Sequence, residues 1–138
     1  MPFVLDCSMA MAWVFSDEAT EATDALRDRL LDDRAVVPAL WSWEVGNVLW
    51  AATRRKRIER HDWPMLTTAL AALPIEIDPE GPARVLTAVL PLAEEHALSV
   101  YDAAYLELAI RRRIPLATLD RALQLAARTV NLPSLPTS

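Results

Sequence analysis

The chain opens on three apolar residues, Phe3, Val4 and Leu5, followed at once by a charge, Asp6. A short apolar run ended in this way predicts a buried strand. Behind it "MAMAWVF" and "TEATDALRDRLLDD" carry helical periodicity, with Ser8 and Asp17 or Glu18 available as caps. "AVVPAL" is a second short β-rich run. From Ser42 to Lys56 "SWEVGNVLWAATRRK" predicts a capped amphipathic helix ending in cations, and "RHDWPMLTTALAAL" a second helix with Pro64 near its first turn. The two make a helical hairpin over about 42–72, expected to protrude. "IEID" predicts a strand ended by Pro79, "EGPARVLTAVLPLAEEHA" a helix interrupted at Pro91, and "SVYDAAYLELAIRRR" a further helix. "IPLATL" then reads as a strand, "DRALQLAAR" as a helix and "TVNLPSL" as a last short strand.

Strands separated by helices imply parallel pairing through right-handed crossovers, with helices on both faces of the sheet. The fold class is therefore α/β. No linker or repeat divides the 138 residues, so one domain, 1–138, is expected.

Composition narrows the chemistry by exclusion. A chain 53% hydrophobic and 24% charged, with no low-complexity tract, is globular. Cys7 is the sole cysteine, so no intrachain disulfide can form, and the apolar start is too short for a signal peptide or a membrane span. The cytoplasm is the expected compartment. A net charge of −5 has the wrong sign for nucleic-acid binding through bulk electrostatics, so any such contact must be local. With only Gly46 and Gly81, no glycine-rich phosphate loop can be written. His61 and His96 lack ligand-spaced partners, which leaves a zinc site unsupported.

In a parallel sheet the functional edge lies at the carboxyl ends of the strands. Asp6 ends the first strand, Glu44 is placed in the first turn of the helix after "VVPAL", and Asp120 follows "PLATL". The helix carrying Asp102 feeds the next strand through a very short link, so it must descend, and its beginning lies at the same edge. Each acid has a plainer explanation as a cap or a partner of a helix dipole. Crowded together, however, carboxylates raise one another's pKa unless a cation neutralises them. Oxygen ligands without His or Cys select hard ions, Mg²⁺ or Mn²⁺, and phosphate oxygens are the usual completion of such a shell. The chemistry indicated is metal-assisted phosphodiester hydrolysis.

"VLDCS", "WEVGNVL" with its Glu-x-x-Asn, "SVYDAAYLELA" and "ATLDRAL", in that order, resemble the PIN-domain nucleases, and within them the VapC-type toxins of bacterial toxin-antitoxin pairs. The likeness runs from residue 3 to about residue 132. It implies a three-layer α/β/α sandwich around a mostly parallel sheet of four to five strands. It implies an endoribonuclease whose metal ligands match Asp6, Asp102 and Asp120, with Glu44 as the fourth catalytic acid, bound directly or through water. Ser8, Asn47 and Thr118 match supporting positions. Leu123 is apolar where some relatives carry a further polar or acidic residue, which leaves one ion or two as an open choice. The implied partners are an RNA substrate, a cognate antitoxin and a second copy in a homodimer, with no membrane.

Arg54, Arg55, Lys56, Arg57 and Arg60, and the run Arg111, Arg112 and Arg113, are candidates to hold an RNA backbone; at helix C-termini they also suit the dipole. Trp43 and Trp50, seven residues apart on one helix face with Gly46 between them, are expected in core or subunit packing, as is Trp41. Trp63, beside Pro64, is a candidate for the partner-binding surface. Cys7, with no His or basic neighbour, is expected to be a small buried residue. Two other functions fit the same residues: a non-catalytic α/β binding module whose acids only cap helices, and a PIN-like nuclease acting on structured DNA.

Overall fold

A computed structural model describes residues 1–136; the last two residues of the expected domain lie outside the described part. The predicted strands appear as β1 (Phe3–Leu5), β2 (Ala35–Val37), β3 (Ile75–Ile77), β4 (Leu116–Ala117) and β5 (Ser134–Leu135). They form one parallel sheet in the order β3-β2-β1-β4-β5. Successive strand residues point to opposite faces, and all three residues of both β1 and β2 are buried, so helices must cover both faces. The edge strand β3 is only partly covered.

The helices are α1 (Cys7–Val14), α2 (Glu21–Asp28), α3 (Leu40–Arg54), α4 (Trp63–Ala71), α5 (Leu90–His96), α6 (Val100–Arg112) and α7 (Arg121–Thr129). Of the two candidate caps Asp6 and Ser8, Asp6 caps α1, whereas at α2 Thr20, in a reciprocal capping box with Thr23, replaces the expected Asp17 or Glu18. Asp17 and Glu18 lie instead in a 3₁₀ turn, Ser16–Glu18. Helix α3 starts at Leu40 with no side-chain cap, because the chain turns into it directly from Pro38, whose carbonyl accepts from the Trp41 N–H at 3.0 Å.

The interruption at Pro91 takes the form of a 3₁₀ turn, Gly81–Arg84, and a π turn, Val85–Val89, that lead into α5. Proline has no N–H to give the regular ladder, and the widened turn absorbs the loss. Arg113, in the left-handed region at φ 57°, then ends α6 and turns the chain into β4, the short link expected.

Helix α3 is seated on the core along one stripe, Trp41, Val45, Leu49 and Ala52. Helix α4 has no buried residue, resting only Leu66 and Leu70 against the core. What stands off from the body is therefore α4 rather than the whole hairpin 42–72. Trp63 belongs to the hairpin's inner seam, where its indole N–H donates to Thr53 Oγ1 at 2.9 Å. Trp41 is buried, but Trp43 and Trp50 lie off the buried stripe and are 83% and 52% exposed, so the core-packing expectation fails for those two. Among the described residues, no helix is long and apolar enough to cross a membrane.

Candidate active site

The strand order reverses between β1 and β4, where a parallel sheet leaves a crevice beyond its carboxyl ends. Leu5 pairs with Ala117, so the next residues, Asp6 and Thr118, leave the sheet side by side. The Asp6 N–H donates to Ala117 O at 3.1 Å, and the Thr118 hydroxyl donates to Asp6 Oδ2. Asp6 Oδ1 accepts from Ser8 Oγ at 2.7 Å and from the Met9 N–H at 3.0 Å, capping α1. Ser8 in turn accepts from the Leu119 N–H at 3.1 Å, and Thr118 from the Asp120 N–H at 2.9 Å. Both hydroxyls thus lock the two loops of the crevice to the Asp6 carboxylate. Asp120 caps α7 by accepting from the Leu123 N–H at 3.0 Å.

Asp102 lies in the first turn of α6, its N–H on the capping Ser99 Oγ at 3.0 Å. Glu44 falls in the second turn of α3 because that helix begins early, so no N-terminal dipole contact accounts for it. Its Oε1 accepts from the buried hydroxyl of Tyr105. Asp6, Glu44, Asp102 and Asp120, from four elements, line one cavity of about 370 Å³, joined by Ser8, Tyr105 and Val48.

The electrostatics set this cavity apart. Burial raises the Asp6 carboxyl from 3.8 to about 6, against the hydroxyl and backbone donors that lower it, and Asp102 adds repulsion. Glu44 is raised by burial and by Asp102, and Asp102 by burial and by Asp120. Among the described residues none of the four forms an ion pair. Cys7 also lines the cavity; burial first, then Glu44 and Asp6, push its thiol up to about 12, so it stays protonated and is no nucleophile.

The donors are all oxygen, which suits a hard divalent ion. Among the described residues no three His, Cys, Asp or Glu side chains are grouped tightly enough to hold an ion unaided. An ion such as Mg²⁺ is commonly held by one or two carboxylates, with water and substrate phosphate in the rest of its shell. The residues able to contribute are Asp6, Asp102, Asp120 and Glu44.

Other candidates are placed elsewhere. Asn47 is exposed and outside the cavity; Val48, four residues after Glu44 instead of three, takes the neighbouring position on the helix face. Leu123 is fully buried in the core. Arg111 and Arg112 are withdrawn as RNA contacts by their own partners. Arg111 binds Asp78 through two nitrogens at 3.0 and 2.8 Å and reaches Glu80 and Glu107, while Arg112 binds Glu76 at 2.6 Å and Asp78 at 3.0 Å. Arg57 pairs with Asp17 and with Glu18, a residue of the cavity wall, and lies 3.9 Å over the Phe15 ring. Arg54 and Arg55 are exposed and without an ion pair among the described residues, beside a shallow depression at the far end of α3. Tyr105 is the participant the sequence left unmarked. Its signal was its position three residues after Asp102, on the same side of the helix.

A sheet of this order with acids gathered at its switch point defines a class. The family model described as PIN domain matches residues 3–128, and the chain belongs to that family. Among particular relatives, it is 29% identical over 123 residues to Ribonuclease VapC3 of Pyrobaculum aerophilum, covering 89% of this chain and 92% of the relative. The crystal structure of PAE2754 from Pyrobaculum aerophilum shares the fold, with a TM-score of 0.63 at 24% identity over 98% of this chain and 92% of that one.

Proposed function

We propose that the chain is an endoribonuclease dependent on Mg²⁺ or Mn²⁺ and the toxin of a type II toxin-antitoxin pair. It acts in the cytoplasm as a homodimer and is held in check by a cognate antitoxin. The observation that carries the catalytic part is that Asp6, Glu44, Asp102 and Asp120 share one cavity, three of them with raised pKa and none with a basic partner, while the cavity's fifth acid, Glu18, is paired with Arg57. Capping accounts for Asp6 and Asp120 but gives Glu44 nothing to do, which favours a site over a non-catalytic module. The likeness to a protein named as a ribonuclease supports RNA over structured DNA as the substrate.

A bound divalent ion supplies Lewis acidity to the scissile phosphodiester and to the attacking water. The protein's part is to hold that chemistry in place. Asp6, Asp102, Asp120 and Glu44 furnish the negative field that attracts the ion. Ser8 and Thr118 fix the Asp6 carboxylate through its two oxygens, so its geometry is set before anything binds. Arg54 and Arg55, uncommitted to acids, are the cations for the RNA backbone; Arg57 serves once a phosphate displaces Asp17 and Glu18.

Incubating the purified protein with total RNA and Mn²⁺ tests this directly. Cleavage is expected, abolished by EDTA and reduced by roughly two to three orders of magnitude in Asp102→Asn, the loss of several kcal/mol of transition-state stabilisation. Cleavage of a matched DNA at an equal rate would assign the alternative substrate. Full activity in EDTA or in Asp102→Asn overturns the proposal.

A further inference from the structure

Tyr105 is fully packed, 1% exposed, yet its hydroxyl crosses from α6 to α3 and donates to Glu44 Oε1. Glu44 has three rotatable side-chain bonds and is only partly buried. Left alone it would sample several orientations at the cavity mouth, and fixing such a side chain at the moment of binding costs entropy. The phenol cannot follow that motion, because its ring is held in the core that α6 forms over Ala103–Ala109.

From this geometry we infer that Tyr105 is a positioning residue for Glu44. It pins one carboxylate oxygen and leaves Oε2, which accepts no hydrogen bond among the described residues, as the one available to a bound cation or its water. The inference rests on the proposed metal-dependent nuclease and adds a residue to it. Asp6 already has such support on both oxygens, from Ser8, Met9 and Thr118. Tyr105, reaching across from α6, gives one oxygen of Glu44 the same service. Partners that orient a ligating carboxylate contribute about 10–100-fold to metal affinity or activity when tested by mutation.

The test is Mn²⁺ binding by titration calorimetry, alongside RNA cleavage, in wild type, Tyr105→Phe, Glu44→Ala and the double variant. Tyr105→Phe removes one oxygen and keeps the packed ring; a cooperative melt establishes that it folds. Its Mn²⁺ dissociation constant is expected to rise about ten-fold. Cleavage should recover to within a few-fold of wild type at saturating Mn²⁺, with KM for RNA unchanged. Because Tyr105 acts through Glu44, the single Glu44→Ala and the double variant should bind Mn²⁺ alike. This last comparison holds even where Tyr105→Phe alone lowers stability. Wild-type Mn²⁺ affinity in Tyr105→Phe, or an equal further loss on adding it to Glu44→Ala, overturns the role of Tyr105 while leaving the nuclease intact. A wild-type protein that neither binds Mn²⁺ nor cleaves RNA overturns the nuclease reading instead, and this inference with it.

Discussion

Asp6 and Asp78 hold the same station in the fold and live in opposite surroundings. Each directly follows the last residue of a parallel strand, β1 or β3, and their exposures are 4% and 1%. Asp78 receives two nitrogens of Arg111 and one of Arg112, and Arg111 first among them holds its carboxyl down to about 2. Asp6 receives two hydroxyls and a backbone N–H, its nearest charged influence is another acid, and burial lifts it to about 6. Burial alone therefore does not mark a functional acid; the set of partners does. A buried carboxylate with cations around it is a structural joint. One without them opposes its own ionisation and is stabilised by any cation that arrives.

The contrast can be broken most severely at the joint. Arg111→Met leaves Asp78 and Glu107 buried without their principal cation, and urea denaturation at pH 7.5 should report a loss of about 3–5 kcal/mol. A loss under about 1 kcal/mol would mean that Arg112 and Arg84 suffice to hold the joint.

The acid limb of stability comes next in size. Asp78 is lowered from 3.8 to about 2 in the folded state, so its contribution is present above pH 3.8 and lost as pH falls through about 2. By linkage that is about 2 kcal/mol. Wild type should lose it between pH 4 and 2, whereas Asp78→Asn, which has lost it at every pH, should show a flatter limb. Parallel acid limbs in the two proteins would remove Asp78 from this role.

The smallest effect has the opposite sign. The Asp6 carboxyl is raised above its unfolded value, so its favourable contribution is full below pH 3.8 and lost as pH rises through about 6. Asp6→Asn relieves the ionised group, and the amide oxygen can still cap α1. After the lost carboxylate hydrogen bonds are set against that relief, a gain of about 1–2 kcal/mol is expected at pH 7.5, vanishing by pH 4. RNA cleavage should be lost over the same substitution. A variant less stable than wild type at pH 7.5 would place Asp6 with Asp78, as a structural acid.

The sequence carried the site's acids because each sits beside a signal of local structure. Asp6 ends an apolar run, Asp120 ends another, and the short link after Arg113 gave α6 its direction and so Asp102 its edge. It did not carry the pairings. Tyr105 meets an acid 61 residues away, and Arg111 and Arg112 meet acids 31 to 36 residues away on β3 and just beyond it. A run of arginines at a helix end looks the same whether it faces solvent or a buried aspartate. Asn47 lies one residue of helix rotation from the cavity-lining Val48, and α3 starts two residues before Ser42, because Pro38 and the strand before it set that start where no capping residue announces it. Trp43 and Trp50 share a face, as their seven-residue spacing predicts, but it is the exposed one.

The most direct test of the carboxylate site is the melting temperature of wild type and Asp6→Asn with and without Mn²⁺ at pH 7.5. With Mn²⁺ at about a hundred times its dissociation constant, wild type should gain roughly 2.7 kcal/mol, a rise of several degrees. The gain should be smaller at pH 5, where protons compete for Asp6, and largely absent in Asp6→Asn. An equal shift in both proteins, or none in wild type, would contradict a metal site built on Asp6.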